Sequence, residues 1–128
     1  MDIKFIKFKH CHIFLSKVKN TNMKIDKLAS AKKFFEEGIN FLKIEDYQNA
    51  EKNFIKSLDL FPKRLSIIHN LISIYINTNQ KNKLKDILNR FQNLNNEKEI
   101  KYGKAFLYYF DEDFLKSIEI CKELIKEA

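Results

Sequence analysis

Residues 31–62 read AKKFFEEGINFLKIEDYQNAEKNFIKSLDLFP, and their spacing decides the fold class. Ala31, Phe34, Phe35, Gly38, Phe41 and Leu42 lie three or four residues apart, as on one face of a helix. The acidic pair Glu45-Asp46 precedes a second such series at Tyr47, Ala50, Phe54, Ser57, Leu58 and Phe61. Carboxylates are favoured at the positive end of a helix dipole, and Pro62 cannot continue a helix because it lacks the N–H and its ring clashes with the preceding turn. The stretch predicts two helices joined by a short turn. Gly38 and Ala50 let the two backbones approach, while Phe41 and Phe54 fill the space around them.

The pattern continues outward. Asp26, with the Ser/Asp-type chemistry of an N-cap, predicts a first helix over roughly 27–43. Apolar series within 64–77 (Ile68, Leu71, Ile72, Tyr75), 82–94 (Leu84, Leu88, Phe91), 98–110 (Ala105, Phe106, Tyr108, Tyr109) and 113–127 (Phe114, Ile118, Cys121, Leu124) predict four more. Gly38 to Ile72, Phe41 to Tyr75, Ala50 to Leu84 and Phe54 to Leu88 are each 34 residues, and a further step of 33 reaches Ala105, Tyr108, Ser117 and Cys121. A fixed period of this length marks a stacked array, whose units cannot bury their apolar faces alone. Composition agrees. With 45% apolar residues and 12 Phe the chain is not a disordered tract, and two Gly with one Pro are too few for the many turns of a sandwich or barrel. The expectation is an all-α protein of six helices in three antiparallel pairs.

This register resembles the tetratricopeptide repeat (TPR) family, whose 34-residue unit carries W-x2-L-G-x2-Y, then A-x3-F, then P. Phe34, Glu37, Gly38, Phe41, Ala50, Phe54 and Pro62 keep every offset of that unit. Residues 65–96 and 98–128 are more degenerate: Ile72 and Leu84 replace small residues, Asn96 stands where Pro is usual, and Lys101 takes the first aromatic position. The resemblance implies an α-solenoid, a right-handed superhelix of antiparallel helix pairs, over residues 26–128. It also implies a concave groove lined by the first helix of each unit, at Phe35, Ile39, His69, Asn70, Ser73, Asn77, Tyr102, Phe106 and Tyr109. Amide, hydroxyl and aromatic groups together suit an extended peptide, whose backbone needs hydrogen bonds and whose side chains need apolar pockets. The function implied is a non-enzymatic protein–protein adaptor or scaffold. Chaperone-binding members read a C-terminal carboxylate with a Lys, Asn, Asn, Lys, Arg clamp; the five positions here are Phe35, Ile39, Asn70, Glu99 and Gly103, so only Asn70 matches and that specificity is not expected.

The formal charge of +7 rests on 22 Lys and only 2 Arg, in a chain where Lys, Asn, Ile and Phe supply 64 of 128 residues. Arg, whose planar fork pairs bidentately with phosphate, would be the stronger mark of nucleic-acid binding. Seven Lys and two Asp give residues 1–30 a charge of +5, leaving 17 minus 15, or +2, for the remainder. Residues 1–25 therefore read as a basic N-terminal arm, unstructured or loosely docked, with neither strand alternation nor a clean helical stripe in the first 22. The alternative function is a nucleic-acid or anionic membrane-surface binder working through this arm, or a helper region of a larger enzyme or assembly.

Cys11 and Cys121 match no metal or redox spacing, which predicts unpaired thiols in a reducing, cytoplasmic setting. His10-Cys11-His12 lacks the further ligands of a tetrahedral site, so neither metal nor cofactor is expected. No Gly-rich phosphate loop, H-E-x-x-H, G-x-S-x-G or paired-carboxylate pattern points to catalysis. Cys121 takes the place of Phe54 in the register and reads as a buried structural thiol. No apolar run approaches the ~20 residues of a membrane span. In the last helix Phe114, Ser117, Ile118, Ile120, Cys121, Leu124 and Ile125 occupy an arc of roughly 160°, wider than the ~100° needed for one neighbour. That excess predicts a cover, and a homodimer through Ile120 and Leu124 is the simplest.

Overall fold

The computed structural model describes residues 2–91 and 97–127, with side chains from residue 11 onward except that of residue 97. Its elements are α1 (Asp2–Lys43), α2 (Tyr47–Leu60), α3 (Leu65–Asn77), α4 (Lys81–Arg90), α5 (Glu97–Phe110) and α6 (Phe114–Glu127). The protein is all-α, and no strand occurs among the described residues. Helices two to six begin and end within a few residues of the sequence expectation; residues 92–94 of the expected fourth helix lie outside the described residues. The first helix differs. It is unbroken from Asp2, so the boundary expected at residues 25/26 falls inside it and Asp26 is not a cap. A cap residue starts a helix only where the chain before it is turned away, and no Gly or Pro precedes Gly38 to turn it.

The three helix pairs share one turn geometry. Glu45, Asn79 and Glu112 hold φ values of 57°, 55° and 61°, the left-handed region that ends many helices, and they stand 34 and 33 residues apart. In each turn the following N–H reaches back to a carbonyl of the last helical turn: Asp46 to Phe41 at 3.0 Å, Gln80 to Tyr75 at 2.9 Å, Asp113 to Tyr108 at 2.9 Å. The left-handed residue itself donates to Leu42, Ile76 and Tyr109 respectively, at 3.0, 3.2 and 3.0 Å. This is the Schellman pattern, and the residue that closes it opens the next helix. Asp46 Oδ1 accepts the N–H of Asn49 at 3.2 Å, and Asp113 Oδ1 that of Lys116 at 3.4 Å. The period seen in the side chains is thus repeated in the backbone.

Each helix packs on the next, and α3 also reaches α5. The core runs from Ala50 and Phe54 through Ile67, Leu71 and Ile74 to Leu84, Leu88 and Ile100. Gly38 is required by close approach: a Cβ there would fall 2.8 Å from the Phe54 ring. Ser57 donates to the Ala31 carbonyl at 2.8 Å and Ser117 to that of Ala105 at 2.9 Å, which ties α2 to α1 and α6 to α5 without burying an unsatisfied hydroxyl.

Two expectations for α6 are corrected. Cys121 is exposed rather than buried, although it stands in the register of the fully buried Phe54. Ile120, expected to face outward, is half-buried with Leu124. The physical reason is neighbour number: α2 lies between α1 and α3, whereas α5 is the main neighbour of α6 among the described residues. Its open face carries Phe114, Ile118, Cys121 and Ile125 instead.

Candidate functional site

The odd-numbered helices α3 and α5 lie side by side, and a cleft of about 410 Å³ opens between them and the end of α6. On α3 its wall is His69, Ile72 and Ser73, which share a face because they lie three and four residues apart. On α5 it is Lys98, Glu99 and Tyr102, and α6 adds Leu124. Tyr102 is half exposed and is braced edge-on by Phe106, with ring centroids 5.1 Å apart. Lys98 Nζ donates to the Glu127 carbonyl at 3.4 Å, and Lys101 bridges to Glu127 at 2.8 Å and Glu123 at 3.7 Å, so α5 and α6 are clamped beside the cleft. The Lys101 hydrogen bond holds the exposed Glu127 carboxyl below its usual range.

Glu99 is the chemically unusual member. Its Oε2 is buried without a hydrogen-bond partner. A buried acceptor left unmade is costly. The cleft therefore combines an unsatisfied carboxylate with a hydroxyl, an imidazole, an aromatic ring and aliphatic walls. Among the described residues no group of three or more His, Cys, Asp or Glu side chains is placed to hold a metal ion.

Of the nine residues singled out by sequence, the structure brings His69, Ser73 and Tyr102 together in this cleft. Phe35, Ile39 and Phe106 pack partly against the core, Phe35 edge-on to Phe54 at 5.6 Å. Asn70 and Asn77 spend their amides on their own helix, donating to the carbonyls of Ser66 at 2.8 Å and Ser73 at 2.9 Å. Tyr109 stands apart, against Phe110 and Phe114 at the turn into α6. No protein-family model matches the chain, and no curated protein matches it. Ile72, Lys98, Glu99 and Leu124 are cleft residues outside the nine, although Glu99 stood at a clamp position, Ile72 in the repeat register and Leu124 in the expected dimer contact. Glu99 was detectable, since it lies three residues before Tyr102 and hence on the same face of α5.

A second cleft, of about 290 Å³, is lined by Glu51, Tyr75, Lys83, Asp86 and Arg90 among others. Here Lys83 Nζ donates to Glu51 at 2.8 Å, and the Tyr75 hydroxyl shares the same carboxylate. Burial first, and then the Glu51 charge, pushes the Tyr75 hydroxyl above its ordinary range. This cluster joins α2, α3 and α4, with Lys83 and Glu51 paired to each other at its centre.

Proposed function

We propose that the chain is a non-enzymatic adaptor of tetratricopeptide type that binds an extended segment of a partner protein in the α3/α5 cleft. The observation that carries this reading is the cleft itself, with Glu99 lacking a hydrogen-bond donor beside the half-exposed Tyr102 ring. The 34- and 33-residue recurrence of the turn geometry supports a repeat array. A bound peptide supplies what the cleft lacks: an N–H or a cationic side chain for Glu99, and apolar side chains for Ile72, Tyr102 and Leu124. Cys11 and Cys121, both exposed and unbridged, suit a reducing compartment such as the cytoplasm.

The test is selection from a random peptide library displayed on phage, with the wild-type chain beside a Tyr102→Ala/Glu99→Gln double variant. The wild type should enrich a consensus carrying a basic residue, and the double variant should bind the enriched peptides at least about tenfold more weakly, the scale of losing a buried charge-assisted contact. Equal binding by the two proteins, or no enrichment by the wild type, rejects the proposal.

A further inference from the structure

Helix α1 carries two apolar faces that point in different directions. Between Ala31 and Leu42 the face that packs on α2 includes the buried Ala31 and Gly38. Between residues 11 and 29 a separate stripe is formed by Cys11, Phe14, Leu15, Val18, Ile25 and Leu28, at spacings that confine it to an arc of about 140° at 3.6 residues per turn. Thr21 and Asn22 are the polar interruptions, and Thr21 donates its hydroxyl to the Lys17 carbonyl at 2.9 Å. The centres of the two faces lie about 140° apart around the same unbroken helix, so the stripe cannot turn toward the packed helices while the Ala31–Leu42 face lies on α2. The stripe is accordingly uncovered: Phe14 is 67% exposed, Leu15 55% and Ile25 57%.

Charge narrows what can cover it. Lys17 and Lys24 lie along one border of the stripe, Lys19 along the other, and Lys27 opposite, while Asp26 is the one carboxylate between residues 3 and 35. A second copy would bring together two segments of +3 each (four Lys less Asp26 over residues 11–29) with almost nothing of opposite sign to pair them. A nucleic acid would meet the lysines and leave Phe14, Leu15 and Ile25 in water. An anionic bilayer meets both needs: the apolar side chains enter the boundary between headgroups and acyl chains, and lysines at the borders extend their stems to reach lipid phosphates. We propose that residues 11–29 of α1 form an amphipathic helix that lies in the headgroup layer of an anionic lipid surface. The attachment is peripheral, since no described helix is long and apolar enough to cross a membrane.

The proposal does not rest on the α3/α5 cleft, and the experiment keeps them apart. The full chain is sedimented with vesicles of phosphatidylcholine alone and with vesicles containing about one third phosphatidylserine, an anionic lipid. It should pellet with the anionic vesicles, pellet far less with the neutral ones, and be released as salt rises. Val18→Glu, on the stripe, should weaken binding at least about tenfold, as expected for a charge forced into the apolar boundary. Lys17→Gln/Lys24→Gln should weaken it less, and Tyr102→Ala not at all. All of these positions are exposed, Val18 at 37%, so circular dichroism should show each variant folded. Three results overturn the proposal: no pelleting of the wild type with anionic vesicles, equal pelleting of wild type and Val18→Glu, or a lipid-free dimer that Val18→Glu abolishes. Binding of a DNA duplex that Val18→Glu leaves intact, with no vesicle binding, would assign the lysines to nucleic acid.

Discussion

At the scale of single residues, Gly38 and Phe54 meet so closely that a Cβ on the glycine has no room. Phe54→Ala should cost about 3–5 kcal/mol in chemical denaturation, as for other emptied aromatic sites. Gly38→Ala should also destabilise, because overpacking at 2.8 Å costs about 1–3 kcal/mol against the roughly 1 kcal/mol that Ala gains in helix propensity. In the double variant the clash has no ring to meet, so the two costs should fall short of additivity by about 1 kcal/mol. Tyr75 gives a prediction in pH. Its folded-state pKa is raised by burial and by Glu51. A group raised in this way contributes stability in full below its unfolded value, near 10 for tyrosine, and loses it progressively as the pH climbs above that. Denaturant midpoints compared at about pH 8 and pH 11 should therefore fall more steeply for the wild type than for Tyr75→Phe; parallel falls would show that Tyr75 is not the linked group. The sequence made Gly38, Ala50 and Phe54 legible because their roles depend on their own helix pair. Cys121 was not legible, because burial depends on how many helices flank a position, and the register records only the position.

At the scale of elements, the turns hold the more unusual chemistry. Glu45 and Glu112 sit in left-handed backbone that glycine adopts more freely. An L side chain pays about 1–2 kcal/mol there, and glycine loses about 0.5–1 kcal/mol of chain entropy, so Glu45→Gly and Glu112→Gly should each stabilise by a few tenths to about 1 kcal/mol. A melting temperature lowered by either change would mean that the glutamate side chain makes up for its strain. Helices α2 to α6 were readable from periodicity because a turn signal or the end of an apolar series bounds each one. The start of α1 was not, since the apolar series shifts phase near residue 30 and a search for one stripe sees the earlier residues as disorder. Over its whole length α1 has almost no amphipathic bias, because its two faces nearly cancel. The cleft was half legible: His69, Ser73 and Tyr102 followed from the resemblance to the repeat family and Glu99 was within reach through its spacing to Tyr102, whereas Leu124 needed the spacing between helices.

At the scale of the whole molecule, the packed helices from Ala31 onward and the outer part of α1 should be independent in stability. Residues 11–30 are all exposed, so a chain beginning at Met23 should unfold at the same denaturant concentration as the full chain, within about 0.5 kcal/mol, while its total helical ellipticity falls with the residues removed. A clearly lower midpoint would show that the outer part of the helix braces the array. The continuity of α1 has a rotational consequence. One helix crosses from the outer stripe to the array without a joint, so helical pitch alone fixes the azimuth at which the cleft faces whatever holds the stripe. Deleting one residue near Ser30 would swing the cleft about 100° around that axis, and deleting seven would return it almost to its starting bearing, only about 10 Å closer. The helix thus behaves as a keyed shaft, in which chain length between the two faces sets direction as well as distance.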